Sequence, residues 1–186
     1  MSTFLTILTG MALMLALILA LRMVIGFGAQ KPADYAKATP TLDIRQHLSG
    51  PIRCEGVIYG PMGRVTSRFT ADMEGRWTGN SGVLAEHFSY DSGTRQDREW
   101  RLTLGNDGKV RAEADDLVGA GQGQQSGAAL QLNYTIRLPE SAGGHALQVT
   151  DWMYLVDENT IVNRSQFRKF GIKVAELVAT MRRVDS

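Results

Sequence analysis

Two hydropathy patterns divide the chain. From Phe4 to Leu21, "FLTILTGMALMLALILAL", apolar residues follow one another without alternation and without charge; after Gly50, apolar and polar residues alternate. The first pattern predicts a helix. Its 18 residues rise about 27 Å at ~1.5 Å each, close to the thickness of a hydrocarbon core. A run apolar on all sides does not suit a helix buried along one face of a soluble domain. Arg22 follows, and the apolar run resumes through Phe27, so the arginine is placed to snorkel to the headgroups. No Lys or Arg precedes the segment, unlike the basic start of a secretory signal. Residues 1–28 are therefore expected to be a single uncleaved transmembrane anchor. A signal cleaved after Gly28 is the lesser alternative. Arg22, Lys31 and Lys37 all follow the span, a small bias toward a cytoplasmic carboxyl side. Residues 29–49, with two prolines and no sustained apolar period, are expected to be a tether.

Period two dominates residues 50–186. In "ALQLNYTIRL", Leu130, Leu132, Tyr134, Ile136 and Leu138 alternate with Gln131, Asn133, Thr135 and Arg137, as in an antiparallel strand with one buried face. Further strands are expected at Ile52–Tyr59, Val65–Trp77, Val83–Asp91, Glu99–Gly105, Val110–Val118, Leu147–Val156, Ile161–Phe170 and Lys173–Arg182. The last also fits a helical period through Val174, Leu177, Val178 and Met181. Turn signals such as "GPMG", "TGNSG", "DSGT" and "GNDG" separate them. No long helical crossover is present, so a parallel sheet is excluded. The expected fold is all-β, an antiparallel up-and-down barrel of about eight to nine strands, with a β-sandwich as the alternative.

The run "DDLVGAGQGQQSGAAL", residues 115–130, invites a nucleotide reading that the pattern does not sustain. A dinucleotide fingerprint needs GxGxxG between a strand and a helix. Here the glycines give GxGxG, and an alternating strand follows. No lysine is present to complete a phosphate loop. The expectation is a glycine-bent strand or bulged hairpin.

Alternation also exposes charges on apolar faces. Glu86 shares a face with Leu84, Phe88 and Tyr90; Arg98 with Trp100, Leu102 and Leu104; Asp116 with Val110, Ala112 and Ala114; Asp151 with Leu147, Val149 and Met153. If "SGT" turns the intervening hairpin, Glu86 lies opposite Trp100 and diagonal to Arg98. Buried charges must be paired or hydrogen-bonded, so these four are expected to form one interior network. It is either a structural ion-pair network or a patch that grips a ligand head or moves protons. Trp100, Tyr134 and Met153 are the candidates for the apolar wall. "NRSQFRKFG" carries Arg164, Arg168 and Lys169, a solvated face or a site for anionic headgroups.

Composition narrows the chemistry. The formal net charge is +1 and no basic run occurs, which excludes an electrostatic nucleic-acid binder. Cys54 is the single cysteine, so there is no internal disulfide, and no base stands beside it to make a nucleophile. His47, His87 and His145 are isolated, and no CxxC or HExxH is present, so neither metal nor cofactor is expected. A GxSxG elbow is also missing, and no catalytic residue is assigned.

The segments "SGPIRCEGVIYGPMGRVTSRFTADMEGRW", "GVLAEHFSYDSG", "REWRL", "ADDLVGAGQGQQSGAAL" and "DWMYLVDENTIVNRSQFRKFG" together resemble the proteobacterial domain-of-unknown-function family 3833, collinearly from about Gly50 to Arg182. The resemblance implies a calycin-like, lipocalin-like barrel and an envelope location. It outweighs the small charge bias and implies an inner-membrane, single-pass protein with a periplasmic domain. Family members are often exported lipoproteins with a cysteine closing the apolar segment; here the segment ends in "VIGFGAQ". Family members also tend to be encoded near fatty-acid-modifying enzymes. The expected function is thus a membrane-anchored module binding a lipid, fatty-acyl or other apolar ligand. The alternatives are an acid–base enzyme on a lipid-like substrate and a scaffold subunit for membrane lipid enzymes.

Overall fold

The computed structural model describes residues 2–184. Met1 of the expected 1–28 anchor and the last two residues of the expected 50–186 domain lie outside the described residues, as does the side chain of Arg22. Helix α1 spans Ser2–Val24, and its Thr3–Leu21 portion is long and apolar enough to cross a membrane or to serve as a signal sequence.

Ten antiparallel strands follow: β1 (Gly50–Tyr59), β2 (Val65–Thr78), β3 (Ser81–Tyr90), β4 (Arg95–Leu104), β5 (Lys109–Glu113), β6 (Gly121–Ser126), β7 (Ala129–Arg137), β8 (Ala146–Asp157), β9 (Thr160–Lys169) and β10 (Ile172–Arg183). Each pairs with its sequence neighbours, and β10 pairs with β1 to close a barrel. Closure gives every strand a partner on each side, although β5 meets only the Arg101–Leu104 half of β4. It also decides the form of residues 172–183, whose helical period loses to ladders on both sides, with β1 and with β9. Burial follows the pleat. In β4, Trp100, Leu102 and Leu104 are buried while Glu99, Arg101 and Thr103 face water.

The count of ten corrects the expected eight to nine. The expected strand Val110–Val118 ends at Glu113, and Val118 is 48% exposed. The glycine run then forms β6, a strand of its own between β5 and β7. A Cβ at Gly123 would come within 2.3 Å of the Gln131 carbonyl oxygen, so this stretch can pair as closely as it does only without a side chain. The β3–β4 register also differs from the expected one. Glu86 faces Arg98 and Leu84 faces Trp100, because the hairpin closes between Tyr90 and Thr94, whose N–H···O bond is 3.0 Å. A shift of two residues leaves every side chain on its expected face.

Residues 29–49, expected as a tether, are built into the barrel. Phe27 packs with Ala129 and Trp152 on the outer wall, joined by Tyr35 and Tyr154, and the Tyr35 ring meets Trp152 edge-on at 5.3 Å. The chain then enters one end of the barrel. Leu42 and Ile44 are fully buried there and Leu48 is 1% exposed, with a short helix α2 at Ile44–His47 capped by Asp43. The Leu42 N–H donates to the Gly127 carbonyl at 2.9 Å, the Ile44 N–H to Gln125 Oε1 at 3.1 Å, and Trp77 Nε1 to the Leu48 carbonyl at 2.9 Å. A Cβ at Gly75 would lie 1.8 Å from that same carbonyl oxygen. This plug closes the end bearing the β2–β3, β4–β5, β6–β7 and β8–β9 turns. The opposite end carries the β1–β2, β3–β4, β5–β6, β7–β8 and β9–β10 connections.

Candidate functional site

Above the plug the interior is filled by Leu102, Leu104, Val110, Ala112, Leu130 and Leu132, all buried. Beyond them the barrel encloses a cavity of about 480 Å3, within the usual range for small-molecule sites. All seven candidate residues line it: Glu86, Arg98, Trp100, Asp116, Tyr134, Asp151 and Met153. Phe88, Tyr90, Ile58, Ile136, Phe167 and Leu177 also line it, and each lies further along its strand toward the connection-rich end. The cavity is therefore charged at mid-depth and mainly apolar toward its mouth, where Gln96 and Arg137 also line it.

Parity puts Glu86, Arg98, Tyr134 and Asp151 inside. Asp116 arrives by another route: it lies in the turn after β5, outside any strand, and reaches inward to Arg98. The Nε–Oδ2 distance is 3.0 Å, and both side chains are largely shielded. Arg98 also lies over Trp100, 4.0 Å from the ring centroid, a geometry that favours the cation. Trp100 in turn meets Tyr134 edge-on at 5.2 Å. Burial works against the Arg98 charge, but Tyr134, Glu86 and Asp116 more than offset it and hold its pKa above the ordinary value.

Asp151 and Glu86 are buried carboxylates with different surroundings. Asp151 accepts hydrogen bonds from Ser165 Oγ at 2.8 Å and from Asn163 Nδ2. Burial still raises its pKa, with Ser165, Asn163 and Arg98 pulling the other way. Glu86 is pushed up to about 7, first by burial and then by Asp151 and Asp116, against the pull of Arg98 and of the neighbouring Trp100 indole N–H. Its Oε2 is buried with no hydrogen-bond partner among the described residues. Burial likewise raises the Tyr134 phenol and pushes Cys54 up to about 12, which leaves that thiol uncharged and unreactive at neutral pH.

Asn163 and Ser165 are functional neighbours that pattern reading passed over. The signal was present, since Ile161, Asn163, Ser165 and Phe167 share one parity on β9, with Ile161 and Phe167 as the apolar members. Arg164 and Arg168, by contrast, face outward and are tied down. Arg164 pairs with Glu176 at 2.6 Å and sits over Phe27, 4.9 Å from its ring. Arg168 donates to Gln166 Oε1 at 2.6 Å. This network fixes the outer wall and the incoming chain rather than forming an open cationic face. Lys169 lies beside Phe170 at the β9–β10 turn. Among the described residues, no group of three or more His, Cys, Asp and Glu is placed to hold a metal ion.

A family model described as "Protein of unknown function (DUF3833)" matches residues 21–183, so the chain belongs to that family. No curated protein matches the sequence. The fold is similar to the S-type phycobiliprotein lyase CPES from Guillardia theta, at 8% identity and a TM-score of 0.57 over 84% of this chain and 99% of that one. It is also similar to a protein of unknown function from the DUF3598 family of Nostoc punctiforme. That likeness has 14% identity and a TM-score of 0.54, over 78% of this chain and 50% of the other. At such identities the likeness concerns the fold alone, a closed ligand-sized barrel.

Proposed function

We propose that this member of the DUF3833 family is a membrane-anchored barrel that binds a lipid-like amphiphile, polar end deep and apolar part toward the mouth. One observation carries the reading: a single cavity places buried charged groups at mid-depth and an apolar sleeve of Phe88, Ile136, Phe167 and Leu177 outside them. A purely structural ion-pair network would be packed shut, because unpartnered polar atoms in a closed core are costly. Here one carboxylate oxygen is left unpaired beside enough space for a ligand.

Helix α1 supports the anchoring half of the proposal by length and composition. Its carboxyl end leads within three residues into Phe27, which is seated on the barrel wall, so the barrel would be held close to the bilayer. The envelope setting that the family resemblance implies supports an inner-membrane location with the barrel in the periplasm.

Purification of the full chain from its membranes, followed by extraction and mass spectrometry, tests the binding. A defined amphiphile should co-purify in excess of its share of bulk membrane lipid. The variant Leu177→Trp, which fills the apolar sleeve, should lose that excess while keeping its β-sheet circular dichroism. Co-purified lipid that merely mirrors the membrane, identical in both proteins, would overturn the proposal.

A further inference from the structure

Within that cavity, the hydrogen-bonding valences of the polar cluster specify a ligand head. Arg98 directs Nε and a terminal nitrogen at Asp116 and lays its guanidinium over Trp100. Asp151 is already supplied by Ser165 and Asn163. Glu86 is 6% exposed, lines the cavity, and has an unpartnered Oε2. The acceptor the cluster leaves open is therefore Glu86 Oε2. Three carboxylates, Glu86, Asp116 and Asp151, gather around Arg98, and a second cation, Arg137, lines the cavity from the exposed end of β7 beside Asp116.

We infer that the cavity takes an amphiphile whose head donates hydrogen bonds, an amine, hydroxyl or amide, and discriminates against a free carboxylate. This rests on the cavity's being an amphiphile site. A donor head supplies Glu86 Oε2 and removes the cost of a buried unpaired acceptor. A carboxylate head has no hydrogen to offer that oxygen and would bring further negative charge beside Asp116, Asp151 and Glu86, and such mismatches are how polar sites reject analogues. Fatty-acyl amides and alcohols fit, whereas free fatty acids do not.

The test uses three photoactivatable probes of one alkyl chain, bearing an amine, a hydroxyl or a carboxylate. Each is added to vesicles containing the full chain and irradiated, and the labelled peptides are mapped. Labelling of α1 serves as the reference for probe partitioning. Amine and hydroxyl probes should label β3 and β8 peptides on the order of ten-fold more than the carboxylate probe, the factor one charge-assisted hydrogen bond supplies. Glu86→Gln, checked for folding by circular dichroism, should abolish the advantage of the amine. Equal or stronger labelling by the carboxylate probe would overturn this inference and leave the amphiphile reading intact. Absence of cavity label from every probe would overturn both.

A separate observation concerns the rim. Outside α1 and the Ile25 that follows it, the three most exposed large apolar residues are Phe170 at 91%, Met62 at 86% and Ile172 at 70%. All three stand at the mouth, on the β9–β10 and β1–β2 hairpins, which are neighbours because β10 pairs with β1. Phe170 is also the one described non-glycine residue with positive φ, at 52°, so the tip displays an aromatic at a backbone cost. Lys169, with its Nζ 5.8 Å from the Phe170 ring, and exposed Arg64 flank the patch.

The geometry points to a bilayer bearing anionic headgroups as the partner of this rim, with Phe170, Met62 and Ile172 inserted and the cavity mouth facing the lipid. Exposed apolar tips beside cations are what an interfacial membrane contact requires. Full-length Phe170→Trp is reconstituted in vesicles with and without brominated lipid, with Val156→Trp at the plug end as its counterpart. The emission added at position 170 should be lost to bromolipid and that at 156 retained. A chain that floats with the vesicles but keeps its position-170 emission would overturn the docking. A chain that fails to float would overturn the anchor reading as well.

Discussion

Glu86 carries a pH signature that follows from its surroundings alone. Its carboxyl titrates near 4.5 in a solvated chain and at about 7 in the folded barrel. The folded state therefore binds more protons than the unfolded state between those values, and stability falls as pH rises through the window. Above it the penalty is complete, on the order of 3 kcal/mol. Glu86→Gln, which removes the charge and keeps the shape, should raise the melting temperature at pH 8 and leave it unchanged at pH 4.5. An equal shift at both pH values would mean that the glutamate is not paying a desolvation cost.

At this scale much of the site was legible. Glu86, Arg98 and Asp151 were placed inside by parity alone, since a strand sends alternate side chains to opposite faces. Asp116 was placed inside for a reason that fails: it lies on no strand and reaches Arg98 from a turn. Which carboxylate would find donors was not legible. Ser165 and Asn163 lie 14 and 12 residues from Asp151, and only the β8–β9 register sets them beside it.

Among the elements, the segment before β1 has the largest consequence. A low-propensity stretch with prolines looks like a tether, yet three of its apolar residues close the barrel. Its apolar side chains have no period because they dock one by one, Tyr35 outside and Leu42, Ile44 and Leu48 inside. Ile44→Ala should cost about 2–5 kcal/mol, as for other fully buried aliphatics. Gly75→Ala should displace the Leu48 carbonyl, so limited proteolysis should cut within residues 36–49 in that variant and spare the parent chain. Equal resistance of the two proteins would show that the plug tolerates the added methyl group.

The glycine run belongs to the same scale. A GxGxG array is too sparse in side chains to show alternation, so the strand expected there had no readable bounds or partners. Its place in the ladder comes from the close approach of the Gln131 backbone to Gly123, a contact between segments that no local window contains.

For the whole molecule, the cavity, plug and rim give the barrel a polarity. Its closed end is stapled by residues 42–48, and its open end carries Phe170, Met62 and Ile172. The charged groups sit between the two ends. An amphiphile entering head first would leave its apolar part nearest the mouth, the end at which the exposed apolar tips stand.

The linear pattern by itself determined the unbroken apolar helix, the antiparallel strands and the inward placement of Glu86, Arg98 and Asp151. These depend on residue spacing of one, two or four, which a chain carries wherever it goes. Only the tertiary structure decided the closure of β10 on β1, the two-residue register of β3 on β4, the plug and the single unpaired oxygen of Glu86. Those depend on pairings between distant segments, where turn geometry and closure choose among registers that the alternation leaves equivalent.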